Sequence, residues 1–544
     1  MSTENTTLPG LRPTRRQTLL GLAAAGSVGA LAACGGGDAG EDVSDKTRGA
    51  MDGYDVGQTF RATEPLTFTT LFSDHPNYPY NPDWLFWSAL AETTNVSLEA
   101  TIVPMSDYEQ KRSLVVSAGD APVIIPKTYP GQEAPFVASG VVLAVSDYTD
   151  LMPHYRQKVQ DWQMEPELET LLQEDGKYYV LPGFHENLWP DYTILMRTDL
   201  LEENGIPEPT TWDEFADALR GLKAAYPDVI PFSDRYEGLN FLNQVSTGYG
   251  TVSGWGYGEG LVHDGDTFRF AAATPAHEDF VAYLNGLVAE GLMDPESFTQ
   301  TDDQATQKLY TGQSFAISGN SQDPPKHRLA MDSSLGAGNY DIRKIVLPAG
   351  PAGNVVGGTR LENGIMISAA AAERDDFQAL MQFVDWLWYS DEGREFAKWG
   401  VEGTTYTEEP DGRRVLMPEV SYLDLNPGGT KDLQTEFGFM GGNFSYGGTT
   451  DLIRSMMSPE EITWQEAMAS KEQVEPLPPH PYSATEREQV TLLATPLKDY
   501  VAQGELQFAL GQRDVAQYDA FVQELEGRGM SRYLDLVNQA AQDA

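Results

Sequence analysis

Leu66-Thr67-Phe68-Thr69-Thr70-Leu71-Phe72 is dense in β-branched and aromatic residues and reads as a β-strand. Its surroundings decide the fold. A polar, proline-broken loop follows, Ser73-Asp74-His75-Pro76-Asn77-Tyr78-Pro79-Tyr80, and then a helix rich in aromatic and small residues over 83–92. Residues 96–103 alternate again, 108–117 read as a helix, and Ala121-Pro122-Val123-Ile124-Ile125 continues the pattern. Strands alternating with helices at this spacing predict an α/β protein with mostly parallel sheets.

Further along, Pro209-Thr210-Thr211-Trp212-Asp213-Glu214-Phe215 is the clearest helix start. Thr211 can cap the free amides and Glu214, three residues on, completes a capping box. Trp212, Phe215, Leu219 and Leu222 then recur at helical spacing and predict one buried face. Other helices are expected over 276–290, 374–390 and 391–399. A helical tail is expected over 486–544, interrupted at Gly504, Gly511 and Gly527/Gly529. The proline-rich stretch 475–481 reads as an extended linker feeding it.

The chain has 544 residues, too many for one hydrophobic core. Its 81 acidic residues against 36 basic give a formal net charge of -45. Such a surface repels polyanions, so nucleic acid is excluded as a partner. No pair of the seven histidines has metal-ligand spacing. Nor is there a P-loop, a dinucleotide fingerprint or a nucleophile elbow. No cofactor and no metal are expected.

The first residues are targeting sequence. Thr14-Arg15-Arg16-Gln17-Thr18-Leu19-Leu20 places two arginines ahead of a short apolar run ending at Ala33. The run is too short to span a bilayer and reads as a twin-arginine export signal, residues 1–33. The single cysteine follows it. Leu31-Ala32-Ala33-Cys34 resembles the lipobox of bacterial lipoproteins, which implies lipidation at Cys34 and an anchor on the extracellular face of the cell membrane. Residues 34–59 would be the flexible tether.

Binding chemistry is suggested by aromatic residues beside polar ones in loops. Sugar rings present C–H faces that aromatic rings cover, and hydroxyls that carboxylates and amides engage. Ligands of open α/β sheets bind beyond the carboxyl ends of the strands. The candidates are Asp74 and His75 after the first strand, Tyr129 after 123–126, Glu186 and Trp189 in 182–189, and Trp255 and Tyr257 in Gly254-Trp255-Gly256-Tyr257.

Four stretches carry a family resemblance. They are Ser113 through Asp120 to Ile124; Gly176-Lys177-Tyr178-Tyr179-Val180-Leu181-Pro182 with 192–201 and the Trp212 helix start; Gly400-Val401-Glu402-Gly403-Thr404-Thr405-Tyr406 after Asp391-Glu392-Gly393; and the tail from Gln507. Together, over 60–544, they resemble the solute-binding lipoproteins of bacterial ABC importers that take up sugars and oligosaccharides, in a subgroup of long members. The resemblance implies a two-lobed periplasmic-binding-protein-like fold with hinge strands, the ligand held between the lobes. Lobe one would take 60–182 plus about 364–400, lobe two 183–363, and 401–544 would pack across both. Crossings would fall near 181–183 and 358–365. Glu402 and Tyr406 join the candidate site from the third stretch, and Asn320 and Arg360 from loops near the implied hinge. The implied function is capture of a sugar or oligosaccharide by a monomer and its delivery to ABC permease subunits, without catalysis. Two alternatives stand beside it: a binding protein for peptides or another polar solute, and an exported glycoside hydrolase using carboxylates such as Asp74, Glu186 and Glu402.

Overall fold

The computed structural model describes residues 42–543. Cys34 and the expected export signal lie outside the described residues. Eight strands build the two principal sheets: β1 (Leu66–Asp74), β2 (Val96–Pro104), β3 (Ile124–Thr128), β4 (Leu181–Phe184), β5 (Thr193–Arg197), β6 (Ala316–Gly319), β7 (Ile342–Lys344) and β8 (Leu361–Ile367). The first sheet has the order β2-β1-β3-β8-β4 and the second β6-β5-β7.

In the first sheet β1 runs parallel to β2 and β3, joined by the helices Leu85–Thr94 and Tyr108–Ser117, as the alternation requires. β8 lies antiparallel between β3 and β4. The second sheet departs from the expected parallel pattern, because β5 is antiparallel to both neighbours. The chain enters this lobe along β5, and β6 and β7 pair on its two edges from far downstream. No local βαβ unit sets their direction, so the 60–130 pattern does not carry over.

Each sheet has its own core. Core one joins the β1–β4 region to residues 361–456 and includes the fully buried Trp386, Trp388 and Trp399. Core two joins residues 194–356 to 464–540 around Trp212 and Phe215. The helix Trp212–Ala225 begins as its sequence dictates: Thr211 Oγ1 accepts the Glu214 amide at 3.1 Å, and Glu214 accepts the Thr211 amide at 3.2 Å. Trp212, Phe215, Leu219 and Leu222 are all buried. In the tail, Gly504 does not interrupt a helix but lies inside Ala484–Ala509. A Cβ there would sit 2.4 Å from the Phe521 ring, so the glycine serves close packing against the next helix.

Three segments cross between the lobes. β4 and β8 pair with each other, Leu361 opposite Phe184 and Ile365 opposite Leu181. The third is formed by the residues after Tyr446: Gly448 donates its amide to the Phe184 carbonyl at 2.8 Å and its carbonyl accepts the Glu186 amide at 3.2 Å. The expected tether, 34–59, meets lobe one from Val43 onward. Gln378 bonds the Val43 carbonyl at 2.9 Å, the Met51 amide bonds Gln382 at 2.9 Å, and Arg48 pairs with Asp376 at 2.5 Å. Val43, Ala50, Met51 and Tyr54 have side chains to bury, which a polar tether lacks.

Candidate functional site

Between the two sheets lies a cavity of about 420 Å³ lined from both lobes. Lobe one contributes Tyr129, Lys398, Met440 and the tip Tyr422-Leu423-Asp424-Leu425. Lobe two contributes Asp191, Ser321, Gln322 and Glu461, and the crossings contribute His185, Trp189 and Glu362. Strand ends place these groups, as open α/β sheets require: Tyr129 follows β3, His185 follows β4, and Ser321 and Gln322 follow β6.

Of the residues expected from the sequence, Tyr129 and Trp189 line the cavity. Tyr129 is 49% exposed. Asn320 acts one residue away: its side chain accepts the Gln322 amide at 2.9 Å and its own amide bonds Asp323 at 2.8 Å, a turn that presents Ser321 and Gln322. The loop holding Asp74 and His75 does not line the cavity. Asp74 accepts the Tyr80 amide at 2.8 Å, and His75 stacks on Tyr78 at 4.5 Å. Burial, with Lys127 and Lys326 nearby, lowers the His75 imidazole to about 4, so it is neutral. The same loop touches lobe two, where Asn77 meets Gln322 at 3.3 Å.

The remaining candidates stand elsewhere. Glu186 ties the first crossing to the third by accepting the Thr450 amide at 2.7 Å. Arg360 spends its guanidinium on Glu167 at 2.5 Å and on the Trp162 and Gln163 carbonyls at 2.7 and 3.0 Å, all in lobe one. Trp255 is 45% exposed and packs against Tyr192 and Tyr236, with centroids 5.2 and 4.9 Å away. Tyr257 is buried in core two, Glu402 is exposed at an isolated bridge to Tyr406, and Tyr406 is buried with its hydroxyl on Glu395 at 2.8 Å. None of Asp74, Glu186 and Glu402 lines the cavity.

Residues not foreseen supply most of the polar lining. Glu362 meets His185 Nε2 at 3.1 Å and accepts the Gly447 amide at 2.6 Å. Burial pushes this carboxyl up, but His185, Lys398 and the amide outweigh it and hold it below the usual range. Burial lowers the Lys398 ammonium to about 8, with Glu362 pulling the other way, and its Nζ donates to Ser445 Oγ at 3.2 Å. Across the cavity Lys344 reaches Glu461 at 2.9 and 3.0 Å while lying 3.4 Å over the Trp464 ring. Among the described residues no group of three or more His, Cys, Asp or Glu side chains could hold a metal ion.

Behind the loop that carries Tyr129, Glu133 is fully buried and neither carboxyl oxygen makes a well-formed hydrogen bond. Burial raises it to about 7, against the pull of its own and the Gly131 amides and of Arg487 and Arg112. A carboxyl raised in the folded state stabilises below its unfolded value, and that contribution is lost as pH rises through about 7. Glu133→Gln is expected to raise the urea midpoint near pH 8 and leave it almost unchanged near pH 4, flattening that part of the stability–pH curve.

Two sheets, three crossings and one shared cavity define a two-lobed solute-binding protein. Residues 85–393 match the bacterial extracellular solute-binding protein family, more than half of the chain, and the chain belongs to that family. The family is one of exported binding proteins rather than enzymes. No helix among the described residues is long and apolar enough to cross a membrane. No curated protein matches the sequence. Among solved structures, the alginate-binding protein AlgQ2 is 17% identical with a TM-score of 0.68, covering 89% of this chain and 99% of that one. An HMO-binding, ABC-transporter-associated solute-binding protein from Bifidobacterium longum infantis is 17% identical with a TM-score of 0.64, covering 88% and 99%. The S. pneumoniae ABC-transporter substrate-binding protein FusA, in complex with kestose, is 18% identical with a TM-score of 0.63, covering 88% and 99%.

Proposed function

We propose that the chain captures a sugar or oligosaccharide outside the cell, in the cleft between its lobes, and passes it to the permease of an ABC importer. The cavity shared by both lobes carries this reading: Tyr129 and Trp189 offer ring faces, and Ser321, Gln322 and Asp191 offer hydrogen-bonding groups. The saccharide ligands in the names of the solved structures of the same fold support it. In this reading lobe one, 60–182 with its returning segment, and lobe two, 183–363, hinge together over the ligand. Cys34 carries the lipid that keeps the monomer at the outer face of the membrane.

A thermal-shift screen against saccharides and peptides tests the reading. Saccharide-dependent stabilisation without turnover is the expected result, and a protein stabilised by peptides alone would overturn it. Once a ligand is found, Trp189→Ala is expected to weaken it by about 10- to 100-fold, the loss typical of a buried aromatic contact. Isothermal calorimetry reads the change, and an unaltered Kd would remove Trp189 from the site. Trp255→Ala is a useful contrast, because Trp255 does not line the cavity.

A further inference from the structure

Three aromatic side chains outside the cavity form one platform at the end of the second sheet that faces it. Trp255 packs edge-on against Tyr192 at 5.2 Å and tilted against Tyr236 at 4.9 Å, and the two tyrosines meet at 6.4 Å. Tyr192 follows Asp191, which lines the cavity, and immediately precedes β5. Because β5 and β6 are antiparallel, with Thr193 opposite Gly319, Tyr192 lies level with Asn320, at the sheet end that presents Ser321 and Gln322. Asp323 ties the two places together. It accepts the Asn320 amide at 2.8 Å and pairs with Arg235, whose guanidinium lies 4.4 Å over the Tyr236 ring.

Local chemistry holds each ring in place. Gly254 (φ 57°) and Gly256 press their turn against the helix Leu239–Tyr249: a Cβ would sit 2.1 Å from the Leu239 carbonyl at the first and 2.0 Å from Asn243 Oδ1 at the second. Only glycine fits on either side, so the turn projects a single side chain, Trp255, which stays 45% exposed. Tyr236 has a φ of 58° and Glu237 of 54°, left-handed values that a bulky residue adopts only where its surroundings impose them. Here they do. Asp302 accepts the Tyr236 amide at 2.8 Å, and Arg235, anchored on Asp323 and on the Ser318 carbonyl at 3.0 Å, backs the ring.

Single exposed aromatics are ordinary, but three rings held together on a strained, cation-backed turn beside a polar cavity offer the surface that a sugar C–H face covers. Resting on the sugar reading, we propose that the cleft binds an oligosaccharide across two subsites: one end in the cavity between the lobes, and a further ring stacked on Trp255 with Tyr192 and Tyr236 beside it. Lobe two then selects for length, since a single sugar held in the cavity leaves the platform bare. Once the first ring is seated, the platform meets the next at high effective concentration, so even a modest stack adds directly to affinity.

Calorimetric titration of the full chain with gluco-, fructo- and manno-oligosaccharide ladders, from monosaccharide to pentasaccharide, tests this. In the ladder that binds, affinity is expected to climb by at least about tenfold at one added unit, the step at which a ring reaches the platform. Trp255→Ala is expected to erase that step while leaving the Kd of the shorter members unchanged. Trp255→Tyr, which keeps a ring, should restore most of it, and unchanged melting temperatures certify both folds. A parent whose affinity is flat with length overturns the proposal, as does Trp255→Ala acting on every length alike or on none, and in each case sugar capture stands. A chain that binds no ladder loses this proposal and sugar capture together.

Discussion

Replacing Asp385 by alanine is expected to cost about 3–5 kcal/mol of stability, because one buried carboxylate serves four donors. Asp385 lies fully buried in the helix Phe377–Tyr389. Its Oδ1 accepts the Tyr155 amide at 2.8 Å, and its Oδ2 accepts the His154 amide at 3.1 Å, the His154 imidazole at 2.7 Å and the Tyr54 hydroxyl at 3.1 Å. The helix Pro153–Trp162 has no side-chain cap of its own, so a carboxylate from another helix satisfies its first free amides and meets the positive end of its dipole. On the far side of the ring, His154 Nε2 accepts the Gly57 amide at 3.0 Å, which places the imidazole proton on Nδ1, facing Asp385. Alanine would leave the amides, the ring and the hydroxyl buried and unanswered. Denaturant titration should show a loss of that size. Limited proteolysis should find 43–59 newly accessible, since Tyr54 and Gly57 join the same network. Asp385→Asn retains acceptors on the same skeleton and should cost clearly less. A variant Asp385→Ala with an unshifted midpoint would show that water replaces the carboxylate.

The second large effect belongs to Lys344. Its substitution by methionine keeps the stem but strands Glu461, which is 7% exposed, with Gln465 at 3.0 Å as its remaining side-chain donor. Removing one partner of a buried ion pair typically costs about 3–5 kcal/mol, whereas replacing both partners by apolar residues is often neutral. Lys344→Met is therefore expected to lower the Tm by roughly 10 °C, and Lys344→Met with Glu461→Leu to recover most of it. The pH dependence has a definite sign. Burial already raises the Glu461 carboxyl, and without the ammonium it rises further. The single variant should lose stability relative to the parent as pH increases through the carboxyl range, and approach it again in acid. Equal losses in the single and double variants would show that packing on Trp464, not charge, is what Lys344 supplies.

Much of the architecture was legible because local chemistry and global fold agree. The strand at Leu66–Asp74, the helix Tyr108–Ser117 and the Thr211–Glu214 box all form as their residues predict. The cleft was less legible, for reasons particular residues make clear. Glu186 and Arg360 sit beside the crossings, as the candidates should, but their partners come from 448–450 and 162–167, and sequence separation hides such pairings. Glu362 and Lys398 lie inside a strand and a helix whose patterns read as core. Asp191 was the accessible miss, two residues from Trp189 in a loop already singled out. Gly504 read as a helix break because nothing in its own neighbourhood announces Phe521.

The crossings are stitched to one another as well as to their lobes: Phe184 bonds Gly448, Gly447 bonds Glu362, and β4 is laddered to β8. A door hung on three knuckles along one post can swing, but it can neither yaw nor slide. Twisting or sliding motions of one lobe past the other would stretch these bonds, while rotation about the line they share would not. In the proposed hinge closure the approach of Asp191 to Tyr129 follows a single angle, and one well-placed pair of distance labels would follow the whole motion.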